Sequence, residues 1–274
     1  MIELPEAVNL SKQLICVFNK KIIDVIAADS PNKFAWYTGD PKLYRSKLNN
    51  KKITSARAVG GMVEIKASDI LVVLSDGVSI KYIEDAKAIP KKHQLLITLE
   101  DNTYLCASIQ MYGGILCSKE NKLDNSYYLT AKKKPSPLSK EYNKDYFFRI
   151  INNPDYQKLS IKALLATDQR IPGLGNGVLQ DILFNARLHP KTKLQSFSKD
   201  EKNIIFNSIK ATLNDMVKKG GRDTEKDLFG KYGNYITKLS RNTVGKPCTE
   251  CKTPIKKESY MGGSIYFCPV CQNL

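Results

Sequence analysis

The feature that most constrains this chain is a pair of cysteine knuckles in its last 27 residues. Each knuckle has the spacing C-x-x-C, and sixteen residues separate the two. Two such knuckles supply four thiolates to one tetrahedral Zn²⁺, and the stretch between them suits a β-hairpin. Four protein ligands leave no open coordination position, so we expect one structural Zn²⁺. Its predicted ligands are Cys248, Cys251, Cys268 and Cys271.

The composition favours a cytoplasmic protein with a polyanionic partner. The 274 residues include 43 Lys and Arg against 27 Asp and Glu, a net charge of +16. A basic face releases counterions when it meets phosphates, although a solvated basic surface is the alternative. No apolar run is long enough to span a bilayer, and the first twenty residues lack the order of a signal peptide. An odd count of seven cysteines argues against a disulfide framework.

The spacing of apolar residues divides the chain into four parts. Residues 5–19 have near-helical spacing, and short β-rich runs separated by turn signals follow them, which predicts a β-sandwich or barrel packed on the first helix. A charged, proline-rich stretch then reads as a linker, and the signal after it is helical. The predicted parts are a β-rich domain at 1–130, a linker at 131–145, a helical domain at 146–240 and a zinc finger at 241–274.

A glycine-rich turn, I-P-G-L-G-N-G, stands between two predicted helices at residues 171–177. Gly173 and Gly175 permit a tight turn, and Asn176 can cap the helix that follows. The free amides at the start of that helix, together with the Asn176 side chain, could bind a phosphate. An ordinary helix–turn–helix connection without a ligand is the alternative.

Three motifs together resemble the formamidopyrimidine-DNA glycosylase / endonuclease VIII family. They are M-x-E-L-P-E at the amino terminus, G-L-G-N opening a helix toward A-R-L-H-P, and the cysteine knuckles ending in C-P-V-C-Q. Their order and positions match that family over essentially the whole chain. The resemblance implies an amino-terminal β-sandwich with a flanking helix, a carboxy-terminal helix–two-turn–helix domain and a zinc-ribbon β-hairpin. We expect a monomer that flips a damaged base out of double-stranded DNA, with no membrane partner.

The resemblance makes the chain end the expected reaction centre. In the family, the amine of an amino-terminal proline attacks the sugar C1′, and the adjacent glutamate moves protons. The matching catalytic positions here are Met1, Ile2, Glu3 and Glu6. Ile2 stands where the family has proline. Proteases that remove Met1 act mainly before small residues, so Met1 should stay and the free amine should lie about 3.8 Å of chain from the family's place.

The DNA-binding positions are also carried over from the family, with two losses. Gly61 stands where the family has a phosphate-binding lysine, and Gly263 where it has the zinc-finger arginine. The residues that fill the void after base flipping match Val78, Gln110 and Tyr112. The residues expected to contact DNA are Tyr112, Lys162, Gly175, Asn176, Arg222 and Lys226. Trp36, by contrast, is expected in the core rather than on a base-stacking platform.

Three functional hypotheses remain open at this point. The first is a glycosylase of altered mechanism, in which Glu3 activates water or the Met1 amine attacks, with any lyase activity weakened. The second is a protein that binds damaged or unusual DNA without releasing a base, which the substitutions at the reaction centre favour. The third is a zinc-ribbon protein with another partner, against which the basic charge and the glycine turn argue.

Overall fold

The computed structural model describes residues 2–75, 77–109 and 112–274. The predicted roles of Met1 and Gln110 therefore lie outside the described residues. The protein has mixed α and β structure, which confirms the predicted class.

The amino-terminal half is a β-sandwich of two sheets that enclose one apolar core. The strands are β1 Ile22–Ala27, β2 Ala35–Tyr37, β3 Ile53–Val59, β4 Met62–Ala67, β5 Ile70–Leu74, β6 Val78–Ile83, β7 Leu95–Leu99, β8 Tyr104–Ile109 and β9 Gly113–Lys119. One sheet has the order β1-β7-β8-β6 and the other β2-β9-β5-β4-β3. All ladders in both sheets are antiparallel except β2 with β9, which is parallel. The pattern of strands left sandwich and barrel open, the family resemblance implied a sandwich, and the structure confirms the sandwich.

The first helix, α1, spans Leu4–Gln13 and packs on the sandwich through β3 and β4. Pro5 stands in its first turn, where a missing N–H leaves no bond unmade. The helix is shorter than the predicted residues 5–19, because a 3₁₀ turn at Leu14–Val17 replaces its last part. Leu10 of α1 and Leu14 and Val17 of the 3₁₀ turn are all buried in the sandwich core. The apolar spacing in the sequence therefore reflects packing of both segments and not one continuous helix.

The carboxy-terminal half is helical around a second core. Two further helices, α2 Tyr44–Leu48 and α3 Ser126–Lys133, pack on the sandwich. The helical half contains α4 Lys144–Ile151, α5 Ile161–Ala166, α6 Val178–Asn185 and α7 Lys199–Lys218. Helix α3 runs into the first three residues of the predicted linker, and α4 begins before its end. The division of the chain into four parts stays a prediction. No helix within the described residues is long and apolar enough to cross a membrane.

The cysteine-rich tail forms a β-hairpin docked on α6. Strands β10 Lys256–Tyr260 and β11 Gly263–Phe267 pair antiparallel through a turn at Met261 and Gly262. Gln180 of α6 fastens the hairpin, because its side chain accepts from Tyr266 N and donates to Ser264 O. The helical half and the hairpin therefore form one surface beside the sandwich.

Candidate active site

The amino terminus is held where the sandwich meets the helical half. Leu4 N donates to Gly173 O at 2.9 Å, which ties the chain start to the glycine turn. The tip of the β3–β4 hairpin, at Gly60, packs on the same turn. Gly173 has φ +83°, and a Cβ there would lie 2.6 Å from Gly60 C and 2.7 Å from Leu4 Cβ. Only glycine fits this three-way contact, so Gly173 serves assembly of the site.

Glu3 caps helix α6 from across this contact. Its Oε1 accepts from Gly177 N at 2.8 Å and its Oε2 from Val178 N at 2.7 Å. A Cβ at Gly175 would lie 2.6 Å from Glu3 Oε1, so Gly175 leaves space for the carboxylate. The expectation that Asn176 caps this helix is wrong, and the first amides are not open to a phosphate. The Glu3 carboxylate already occupies that anion site.

A buried arginine joins Glu3 to Glu6. Arg222 donates from Nε to Glu6 Oε1 at 2.9 Å and from Nη2 to Glu6 Oε2 at 2.7 Å. Its Nη1 lies 3.6 Å from Glu3 Oε2. The Arg222 side chain is only 3% exposed, and both carboxylates are buried as well. The sequence placed Arg222 on a loop expected to contact DNA or the lesion. The structure places its side chain against Glu3 and Glu6 at the wall of a cleft, and its contact with DNA stays a prediction.

Burial and charge act on these carboxyl groups in opposite directions. Burial raises the pKa of Glu3, and the Arg222 charge and the two amides of α6 offset only part of that rise. Burial also acts to raise the pKa of Glu6, but its charge pairing and hydrogen bonds with Arg222 outweigh burial and lower that pKa. The two carboxyl groups therefore differ in acidity although one arginine faces both. Glu3 is the group whose protonation lies nearer neutral pH.

A cleft of about 580 Å³ opens beside this cluster. The sandwich lines one side through the start of β6, and the helical half lines the other through α6 and the segment after α7. Ile2, which stands at the family's proline position, is 4% exposed and lines the cleft. Residues at the cleft wall include Ile2, Glu6, Val78, Asn176, Gln180, Arg222, Lys226, Tyr232, Arg241 and Tyr266.

The segment after α7 straps the helical half to the sandwich. Leu228 is fully buried in the sandwich core, and its carbonyl accepts from Tyr82 N at 2.9 Å. Gln13 of α1 donates to Asp227 at 2.8 Å and accepts from Leu228 N. Lys226 is exposed beside the cleft, with its Nζ 5.0 Å from the Tyr232 ring centroid. Sequence reasoning missed the anchor at Leu228, because its partners lie in distant parts of the chain.

Two residues that are expected to contact DNA hold the cysteine hairpin, β10–β11, in this structure. Lys162 is 4% exposed, its Nζ donates to Tyr260 O, and burial lowers its pKa. Asn176 donates from Nδ2 to Ser264 O at 2.8 Å. A Cβ at Gly263 would lie 3.5 Å from Lys162 Nζ, so both residues border the place that the family's arginine would occupy. Their role toward DNA stays a prediction.

The four tail cysteines come together as the sequence predicts. Their Sγ atoms all lie within 4.8 Å of one another, close enough to hold a metal ion. Cys251 Sγ and Cys268 Sγ are 3.3 Å apart, and Cys248 Sγ and Cys271 Sγ are 3.9 Å apart. Phe184 of α6 packs against the cluster, which links the hairpin to the helix that Glu3 caps.

Trp36 does not lie in the core, contrary to the sequence-based expectation. Its side chain is 57% exposed on the edge strand β2, and its ring centroid lies 6.2 Å from that of Tyr112. Tyr112 is 37% exposed next to the cleft, beside Gly77. The two aromatic residues therefore form an exposed pair at the sandwich side of the cleft.

Known proteins resemble this chain in sequence over its whole length. The sequence model described as the formamidopyrimidine-DNA glycosylase H2TH domain matches residues 134–227. A formamidopyrimidine-DNA glycosylase of Acinetobacter baylyi is 27% identical over 281 residues, covering 100% of this chain and 99% of that protein. One of Bacillus cereus is 24% identical over 278 residues, covering 99% of each.

Solved structures share the fold. The MutM (Fpg) protein of Thermus thermophilus superposes with a TM-score of 0.83 at 21% identity, covering 98% of each chain. The Lactococcus lactis Fpg in complex with DNA containing an abasic site gives a TM-score of 0.84 at 21% identity, covering 99% of this chain and 100% of that one. The motifs, the arrangement of sandwich, helices and cysteine hairpin, and these similarities agree. The chain is therefore similar over its whole length to formamidopyrimidine-DNA glycosylases, and its residues 134–227 match their H2TH domain.

Proposed function

We propose that this protein is a DNA repair glycosylase that binds damaged duplex DNA, flips the lesion and hydrolyses its N-glycosidic bond. The observation that carries the proposal is the position of Glu3, a buried carboxylate whose neighbours Ile2, Gly177 and Arg222 line the cleft. The named relatives are DNA glycosylases, and the solved complexes of the family hold abasic or lesion-containing DNA. The net charge of +16 suits a phosphate-rich partner.

In the proposed reaction Glu3 acts as the general base for water. The water oxygen forms the new bond to C1′, the bond from C1′ to the base nitrogen breaks, and the base leaves with that electron pair and takes up a proton. Glu3 receives the proton of the attacking water. Each Glu3 oxygen accepts one backbone N–H, and a carboxylate oxygen has a further lone pair for such a water. A pKa raised by burial suits proton transfer near neutral pH.

The proposed cofactor is one structural Zn²⁺, held by Cys248, Cys251, Cys268 and Cys271. Four thiolates at these separations fit the tetrahedral S₄ site that zinc prefers. The metal would fix the hairpin against α6 and so support the residues that border Gly263. With four protein ligands it supplies no catalytic water.

The second candidate function is binding of damaged DNA without base release. Three features favour it: Ile2 replaces the amine-bearing proline, and Gly61 and Gly263 replace two phosphate-binding cations of the family. The Glu3 carboxylate is also engaged with α6 and Arg222. Lyase chemistry through a Schiff base would then depend on the Met1 amine, which lies outside the described residues.

The test is a base-release assay over several oxidised and ring-opened lesions, with borohydride trapping on abasic-site DNA. The proposal expects base release that falls about 100-fold or more in Glu3→Gln, as for loss of a general base. Release should also rise with pH through the raised pKa of Glu3, because the base must be ionised. Intact-mass analysis of the native protein shows whether Met1 is retained.

The matched control is Glu120→Gln, which removes an exposed carboxylate paired with Lys66 and should leave base release unchanged. Urea unfolding of Glu3→Gln shows whether the variant is folded in the absence of denaturant. If it is folded there, a loss of base release is a catalytic loss and not a folding defect. Tight binding of lesion DNA without base release or trapped adduct would establish the second candidate and exclude the first.

A further inference from the structure

Three exposed aromatic residues are grouped at the β2 edge of the sandwich. Phe34 is 50% exposed, Trp36 57% and Tyr112 37%. Strands β2 and β9 pair in parallel with Ala35 opposite Gly113, so Phe34 stands beside Tyr112, and Gly113 N donates to Phe34 O. Phe34 stands in the turn directly before β2, and the ring centroids of Trp36 and Tyr112 lie 6.2 Å apart. Large aromatic residues that are grouped and exposed indicate a binding surface.

These three residues, called the aromatic patch, lie at the end of a sheet face that α3 covers elsewhere. Farther along the same five-stranded sheet, Leu71, Val73 and Leu116 are buried against Tyr128 and Ala131 of α3. At the β2 edge the face instead ends in the exposed aromatic rings. The glycine at 114, opposite Trp36 in the register, contributes no side chain that would cover the indole.

The patch is continuous with the cleft in which the proposed function places DNA. Gly77, which lines the cleft, packs so closely on the chain at Tyr112 that a Cβ on it would lie 1.7 Å from Tyr112 O. Lys33 adds a cation to the patch, with its Nζ 5.0 Å from the Phe34 ring centroid. Exposed aromatic rings beside positive charge are the combination that binds unpaired nucleic acid, because every base has a face that can stack.

We propose that Phe34, Trp36 and Tyr112 form a stacking platform for an unstacked nucleobase of the bound DNA. The inference rests on the proposed function only in requiring that DNA occupies the cleft. It predicts that DNA with unpaired bases beside an abasic site binds more tightly than a continuous duplex with the same site. Trp36 is the platform's central residue and the chain's single tryptophan, so its fluorescence reports the contact directly.

The experiment compares three DNAs of equal length that carry a non-reactive abasic analogue. One is fully paired otherwise, one has unpaired bases flanking the analogue, and one is single-stranded. Binding is measured by anisotropy of a dye on the DNA, and tryptophan emission is followed in the same titrations. We expect a preference for unpaired DNA with quenching of Trp36, and loss of the preference by about 5- to 150-fold in Trp36→Ala.

Two further variants and two further measurements make the test specific. Trp36→Phe keeps a ring and should keep much of the preference, and Tyr127→Ala removes an exposed aromatic residue of α3 and should keep all of it. The dependence of affinity on salt should be the same in Trp36→Ala as in the native protein, because no phosphate contact is lost. Sedimentation of the native protein and Trp36→Ala tests whether a second copy of the chain covers the patch.

The outcomes distinguish the two proposals. Equal affinity for paired and unpaired DNA, or unchanged tryptophan emission on binding, overturns the platform and leaves the proposed function standing. A self-association that Trp36→Ala abolishes, without an effect on DNA affinity, also overturns it. Failure to bind any of the three DNAs overturns both proposals.

Discussion

Replacing Arg222 by methionine should destabilise the protein strongly at neutral pH. The substitution keeps an unbranched apolar stem but removes the cation that faces two buried carboxylates. Glu6 loses a bidentate partner at 2.7 and 2.9 Å, and Glu3 loses a positive charge at 3.6 Å. Both carboxyl groups are buried, so bulk solvent cannot replace the lost interaction.

The expected loss follows from the geometry of this cluster. Two unit charges about 4 Å apart attract by about 4 kcal/mol at an effective dielectric of about 20. The native protein does not gain all of this, because burying Arg222 costs desolvation energy that methionine avoids. Removing one partner of a buried pair destabilises proteins by about 3–5 kcal/mol, since it leaves uncompensated charge. We therefore expect a fall in melting temperature on the order of 10 °C for a chain of this size.

The destabilisation caused by Arg222→Met should depend on pH. Glu6 has a lowered pKa in the folded protein, so its stabilising contribution is present above the ordinary glutamate pKa of 4.5 and is lost as pH falls through the lowered pKa. Without Arg222 the pKa of both carboxyl groups should rise, and each can then protonate in the folded state. The stability difference between the native protein and Arg222→Met should accordingly shrink between pH 7 and pH 4.

Urea unfolding at pH 7 and pH 4 is the assay, with Arg45→Met as the matched control. Arg45 pairs with Asp24 at 2.7 Å, but its side chain is 66% exposed, so its loss should change stability by less than about 1 kcal/mol. Adding Glu6→Gln to Arg222→Met should restore part of the stability, because one uncompensated charge disappears. Equal stability of Arg222→Met and Arg45→Met at pH 7 would refute the reasoning.

Two further predictions concern the packing of the site and its metal. Gly173→Ala should lower the free energy of unfolding by about 2 kcal/mol or more, because its Cβ would lie 2.6 Å from Gly60 C. Gly220→Ala, with φ +76° and no heavy atom within 4 Å of its Cβ, should lower it by only about 1 kcal/mol. Equal losses in urea unfolding would contradict the close contact at Gly173. Purified protein should contain one zinc per chain by elemental analysis, and chelation or Cys268→Ser should lower the melting temperature by unfolding the hairpin; an unchanged melting temperature after complete removal of zinc would count against a structural metal.

The sequence predicted the fold where the signal is local. Short β-rich runs and turn residues indicated the strands of the sandwich, and the spacing of four cysteines indicated the metal cluster. Both depend on residues that are close along the chain. The exposure of Trp36 was not predictable in this way, because it depends on the position of β2 at the edge of the sheet and on how much of the sheet α3 covers.

The sequence indicated residues of the candidate site but not the contacts that the structure shows between them. The amino-terminal motif identified Glu3 and Glu6, and the glycine turn identified the start of α6. Which group caps that helix could not be read from the sequence, because local rules favoured Asn176 and the carboxylate of Glu3 comes from 174 positions away. Arg222 lies 216 positions from Glu6, so only the packing of α1 against α7 and its following segment brings the pair together.

The two glycines at the family's cation positions change where positive charge stands relative to Glu3. A Cβ at Gly61 would lie 3.4 Å from Glu3 Cα, so a lysine there would begin beside the reaction centre; glycine leaves that space to the hairpin backbone. The nearest cation to Glu3 in the described contacts is then Arg222, which is buried and paired with both Glu3 and Glu6.

A buried guanidinium can set the acidity of carboxylates, but it cannot release counterions from a phosphate. Under the proposed function, the pKa of Glu3 therefore depends on Arg222. The affinity for the DNA backbone depends instead on exposed cations at the cleft, such as Lys226. Changes at Arg222 should alter stability and the pH profile of the reaction, whereas changes at Lys226 should alter the dependence of binding on salt.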